Sequence, residues 1–284
     1  MNLIRSKSIL SIFVAMLIVF SACNNSTKTK VKKGETSDGK SAYVDTEVFD
    51  IVKVKDQIVE IIQNSPNTAE IAKLLNEAGA SYIVDLTIPL EDAEKFLTTT
   101  QTSLGLGLYA FDYQYANVYN RADILTQIGQ IEAQMIDKLG LSSEIKTSEE
   151  YMQRLRENAD DKDSINLMVT QAINFSHTQI ANSDHVDVYA LAFIAANVEA
   201  LHILTQLTLF AENNEQLLSL FGKQRERALS VFALLEIMSV DESVSPYYEQ
   251  MVPIMKYLEK ARKLSNNELQ DIAPMIERLR ESMH

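Results

Sequence analysis

The sequence predicts an all-α fold: a single irregular helical bundle of about nine or ten helices with one long buried central helix. Three observations point there. Apolar residues recur at three- and four-residue spacing along most of the chain, the period that gathers them on one side of a helix. Only 8 glycines and 5 prolines occur in 284 residues, too few punctuators for many short strands and turns. One segment alone leans toward β structure, and a lone strand has no ladder for its amides and carbonyls. With 46% apolar residues the chain can bury a core, which sets aside collagen-like and intrinsically disordered classes.

Each element follows from local signals. Apolar positions 48, 49, 51, 52, 54, 58, 59, 61 and 62 suit one amphipathic helix ending before Pro66. Asn67 is placed to cap a short helix through Leu74 and Leu75, closed by Gly79. Tyr82, Ile83, Val84, Leu86 and Ile88 make up the β-leaning run, stopped by Pro89, and are expected as an extended buried connector. Residues 91–102 read as helix. The clearest helix covers 122–139, with Ile124, Ile128, Ile131, Met135 and Leu139 on one stripe and Gly140 just past its end. Thr147-Ser148-Glu149-Glu150 and Ser265-Asn266-Asn267-Glu268 are capping boxes that open helices. Residues 186–210 are apolar nearly all round and rich in alanine, so this helix is expected to run through the centre. Its Asp187, Asn197, Glu199, His202 and Gln206 argue against lipid around it. Pro246 and Pro253 predict a kinked or late-starting helix over 247–264.

The N-terminus reads as an address. Arg5 and Lys7 precede an apolar run over 9–20 interrupted only by Ser11. That run is shorter than the roughly 20 residues a membrane-spanning helix needs, and it fits a signal peptide. Phe20-Ser21-Ala22-Cys23 follows, and Cys23 is the only cysteine of the chain. This stretch resembles the lipobox of bacterial lipoproteins. The resemblance implies cleavage after residue 22, a palmitate-type lipid on Cys23, and a membrane partner reached through that lipid. Residues 1–22 are thus expected as a lipoprotein signal peptide. Residues 23–40 are expected as the acylated cysteine and a flexible basic tether, and 41–284 as an acidic helical domain.

Charge is divided along the same boundaries. The net charge is −13, which becomes −15 once Arg5 and Lys7 leave with the leader. The tether over 24–40 carries five lysines against Glu35 and Asp38, leaving −18 on residues 41–284. A 17-residue polar tether spans roughly 20–25 Å as a coil, and its lysines suit anionic headgroups. The acidic domain excludes nucleic acid as a partner, since duplex binding needs clustered Lys and Arg. Asn24 and the basic residues after Cys23 imply, by likeness to known lipoprotein sorting, an outer-membrane anchor in the bacterial cell envelope, facing the periplasm.

Short runs in the body carry a second resemblance. Glu77-Ala78-Gly79-Ala80-Ser81-Tyr82-Ile83, Leu104-Gly105-Leu106-Gly107-Leu108-Tyr109-Ala110-Phe111-Asp112-Tyr113, Lys138-Leu139-Gly140-Leu141, and Glu157-Asn158 with Lys162-Asp163-Ser164 stand in this order. Together they resemble an uncharacterised family of helical lipoproteins of Bacteroidetes-type bacteria, over about residues 45–284. The likeness implies the fold and the compartment. It brings no activity.

Candidate sites are few. Gly105-Leu106-Gly107-Leu108-Tyr109-Ala110 matches the G-x-G-x-x-A dinucleotide fingerprint, but that fingerprint needs a strand before it and a parallel sheet around it. Close helix packing is the expected use of its glycines. Glu199 and His202 form an E-x-x-H pair, and Glu281 and His284 a second one at the chain end. Di-iron bundles use such pairs on facing helices together with further carboxylates. The expected reading is instead a hydrogen-bonded core Glu199/His202 and a solvated Glu281/His284, with no metal and no cofactor. Tyr109, Asp112, Tyr113, Ala116 and Asn120 share one helical face. Tyr109, Asp112 and Tyr113, with Glu199 and His202, form a candidate polar network, either structural or lining a ligand pocket. No H-E-x-x-H, G-x-S-x-G or C-x-x-C-H motif occurs, so no catalytic residue is assigned. The function expected is a membrane-anchored periplasmic binding or scaffolding module, with a protein partner in the envelope. The alternative is a small-molecule-binding protein or enzyme using a buried Asp112/Glu199/Tyr109 cluster between helices.

Overall fold

The computed structural model describes residues 50–66, 68–141, 183–211, 215–259 and 264–284. The expected leader, Cys23 and tether, the Asn67 cap and the Thr147 capping box lie outside these residues. Every regular element described is helical: α1 (Ile51–Asn64), α2 (Ala69–Glu77), α3 (Thr99–Val118), α4 (Ala122–Lys138), α5 (Val186–Phe210), α6 (Glu215–Met238), α7 (Ser245–Leu258) and α8 (Asn266–Glu281). Two short 3-10 turns, Val84–Leu86 and Leu90–Lys95, sit between α2 and α3. The buried apolar side chains form one continuous core.

At the centre lies α5, as its composition predicts. It is the one helix among the described residues long and apolar enough to cross a membrane, yet 89% of its most apolar 18-residue window is buried. The helix α3 runs along it, and α8, α6 and α1 pack around it. Close approach of α3 depends on Gly107, where an added Cβ would strike the Ala192 backbone carbonyl of α5. At Gly105 a Cβ would lie 2.8 Å from the Phe96 ring. Both glycines therefore serve helix packing and sit inside α3 rather than at a strand-to-helix turn. Gly107→Ala is expected to cost about 1–3 kcal/mol, because backbone cannot swing aside as a side chain can. That corresponds to a fall of about 2–10 °C in Tm for a domain of this size. Gly129→Ala on α4 is the control: its nearest neighbour would be 4.0 Å away, so thermal unfolding should show no loss there.

Helix ends follow the local signals where these were present. Gly79 (φ 79°) and Gly140 (φ 74°) close α2 and α4 in the left-handed region, returning amides to Leu75 and Ile136 through the residues that follow. Ser265 and Glu268 make the expected capping box, and Thr98 with Gln101 makes a second at the start of α3. Residues 91–102 are not one helix. The 3-10 turn stops at Lys95, Phe96 and Thr98 are extended, and α3 starts at Thr99. In the connector over 81–88, Ile83 and Thr87 are extended on either side of the 3-10 turn, and the segment is half-buried, with Leu86 and Ile88 inward. Helix α7 does not start late. Pro246 fits its first turn, where no amide is needed, and Pro253 is accommodated within it.

On α4 the buried face is rotated from the expected stripe. Leu125, Ile128, Glu132, Met135 and Ile136 face inward, while Ile124, Ile131 and Leu139 are only partly covered. Glu132 therefore lies in the core beside Ile128 and Met135.

Candidate functional site

Among the described residues the connector over 80–89 has no strand beside it, so its polar backbone groups call for side-chain partners. One face of α3 supplies most of them. The Tyr119 hydroxyl donates to the Ala80 carbonyl at 2.7 Å. The Tyr115 hydroxyl donates to the Ser81 carbonyl at 3.0 Å and accepts the Ile83 amide at 3.1 Å. Asp112 Oδ2 accepts the Ile88 amide at 2.8 Å, and the Tyr109 hydroxyl donates to the Pro89 carbonyl at 2.8 Å. The rings of Tyr82, Tyr115 and Tyr119 pack together, with the Arg121 guanidinium 4.8 Å from the Tyr82 centroid.

Beneath this seam Asp112 meets the central helix. Glu199 of α5 is fully buried, as is Asp112. Arg280 of α8 reaches both Glu199 oxygens in a two-point clamp, Nε to Oε2 at 2.7 Å and Nη2 to Oε1 at 2.9 Å. The same Nη2 donates to the Leu86 carbonyl at 3.1 Å. One arginine thus joins α5, α8 and the connector. Burial lowers the affinity of Arg280 for its proton, but the Glu199 carboxylate more than offsets this and holds it above its ordinary value. For Asp112, burial first and the adjacent Glu199 charge second push the carboxyl well above the usual carboxylate range. The Ile88 amide and Arg280 pull the other way without prevailing. Asp112 stands within hydrogen-bonding reach of Glu199, and its Oδ1 has no donor. Burial and the neighbouring Glu199 thus favour the protonated form of Asp112.

The sequence-derived network is therefore only partly one cluster. Tyr109, Asp112 and Glu199 do converge, and each is fully buried, so they form a sealed core and not an open pocket. Burial first, and the acidic side chains around it second, raise the Tyr109 phenol well above its ordinary value. Tyr113 turns the other way, toward Gly129 and Glu132 of α4. There burial drives the Glu132 carboxyl up to about 8, and its Oε1 lacks a hydrogen-bond partner. Asn120 lies beyond the end of α3, in the left-handed region at φ 57°.

The expected hydrogen-bonded pair of Glu199 and His202 is corrected. Both carboxylate oxygens of Glu199 go to Arg280, and His202 Nδ1 has no hydrogen-bond partner. Burial holds His202 down to about 4, against the pull of Glu199. The chain end is also corrected: Glu281 is exposed, but Met283 is buried and His284 Nε2 lies 3.0 Å from Asp92 Oδ2. Lys95 meets the same oxygen at 2.8 Å. Among the described residues no group of three or more His, Cys, Asp or Glu is placed to hold a metal ion.

Arg280 was missed by the sequence reading. A signal existed: Ile272, Ile276, Leu279 and Met283 are buried on α8, and Arg280 falls in phase with them, whereas Arg278 is exposed. A cation on an apolar stripe calls for a buried anion. No family model matches the chain, and comparison with curated proteins and with solved structures found no match.

Proposed function

We propose that this chain is an envelope lipoprotein, related to the helical lipoproteins of Bacteroidetes-type bacteria, whose acidic domain is a binding or scaffolding module. One observation carries the proposal: the only cysteine follows a short basic and apolar leader directly after Ser21 and Ala22. Lipid on Cys23 makes the membrane the first partner, and several acyl chains at about 0.8 kcal/mol per methylene hold it there durably. The outer membrane, with the domain facing the periplasm, is the proposed location, and a protein in the envelope the proposed second partner. A non-enzymatic role is supported by how the polar cluster is used. Tyr109, Asp112, Tyr115, Tyr119 and Arg280 bond to the connector backbone, while Glu199 accepts from Nε and Nη2 of Arg280. These groups are engaged in holding helices and connector together, and Tyr109, Asp112 and Glu199 are fully buried.

Cys23→Ala is the direct test. Wild-type protein is expected in the membrane fraction, releasing palmitate-type chains on hydrolysis, and the variant in the soluble fraction. Equal partitioning of the two, or an unmodified Cys23 sulfur in the exported product, would overturn the proposal.

A further inference from the structure

Away from the connector, a small cavity lies where α5, α6 and α7 meet. It is lined by Asn197, Val198 and Leu201 of α5, by Gln224, Arg227 and neighbouring residues of α6, and by Met251 of α7. All of these side chains are buried, with Asn197 5% and Gln224 2% exposed. About 10 Å³ within it is open to the centre of a water-sized sphere, the room that one water molecule needs.

The walls carry opposite hydrogen-bonding demands. Asn197 donates through Nδ2 to the Phe193 carbonyl at 2.8 Å, one turn back on α5, and this bond fixes which way its amide faces. Its Oδ1 is left without a donor. The Gln224 Nε2 is left without an acceptor. Arg227 extends past the same space to pair with Glu70 of α2 at 3.0 Å. Two buried amides unmet beside a gap cost about 1–3 kcal/mol each if nothing fills it. An occupant must donate to Asn197 and accept from Gln224 within the span of one small molecule. An anion cannot donate, and a metal ion cannot accept. Water does both, and it serves either orientation of the Gln224 amide.

We propose that this cavity is a binding site for a single structural water molecule, bridging Asn197 of α5 to Gln224 of α6. The bridge completes the hydrogen bonding of the central helix on the side away from Arg280. Buried waters of this kind bond to about three polar groups and are costly to remove.

The test is a high-resolution crystal structure of the full chain, beside that of Gln224→Met. The wild type should show one ordered water within roughly 2.7–3.2 Å of both Asn197 Oδ1 and the Gln224 amide. The methionine variant, which fills similar volume without a donor, should lack it. A dry cavity, or Asn197 and Gln224 bonded directly across a closed gap, would overturn the proposal. So would bromide replacing the density in a soaked crystal, since that marks an anion site. Should the variant fail to fold, the wild-type density decides alone.

Discussion

Replacing Arg280 with methionine is expected to lower the unfolding free energy by about 3–5 kcal/mol, the range found when one partner of a buried ion pair is removed. The variant leaves Glu199 buried beside Asp112 with no cation, and it strips the Leu86 carbonyl of its donor. In Tm this is about 10 °C for a domain of this size. Two companion variants locate the cause. Asp112→Asn should cost less than Arg280→Met, because an amide still offers an oxygen to the Ile88 amide and carries no charge beside Glu199. Pairing Glu199→Leu with Arg280→Met should recover much of the single-variant loss, since the uncompensated charge is gone. Urea unfolding of the four proteins checks this. An Arg280→Met variant as stable as wild type would mean that the clamp contributes nothing.

Glu132→Gln is expected to remove a pH dependence of stability. The folded protein binds the Glu132 proton up to about 8, against an ordinary value of 4.5. A carboxyl raised in this way contributes its stability below the unfolded value and loses it as pH rises through the folded one. Between pH 4.5 and 8 the wild type should therefore lose about 3–5 kcal/mol from this group, at 1.36 kcal/mol per unit. The glutamine variant should match wild type near pH 5 and exceed it by that margin near pH 9, with urea midpoints at the two pH values as the measurement. Asp112 acts in the same direction, since its carboxyl is also raised. His202 acts oppositely: held down to about 4 in the fold, it costs stability as pH falls below 6.5. Parallel pH profiles for wild type and Glu132→Gln would show that Glu132 is not a buried acid.

Local features were legible because their causes are local. The left-handed closures at Gly79 and Gly140 follow from a residue type that alone adopts that geometry freely. The Ser265 and Glu268 box reciprocates within three residues. The centrality of α5 follows from having no polar side to show solvent. Other features depended on partners far along the chain. Glu199 and Arg280 are 81 residues apart, and nothing near either one names the other. Asp112 was expected to meet polar partners on the central helix, but not to share them with a connector amide. On α4, a repeat of isoleucines suggested one stripe, while packing against α3 and the 3-10 turn near residue 92 chose a face that includes Glu132.

The order of residues by itself determined that this chain is helical, where several helices begin or end, and which one lies at the centre. It did so because hydrogen-bonded caps and a 3.6-residue period act over one or two turns. Only the tertiary structure decided which polar groups meet the connector, which arginine pairs with the buried glutamate, and where an internal cavity opens. Those outcomes depend on helix crossing and rotation, which set distances of a few ångströms between residues that the chain keeps far apart.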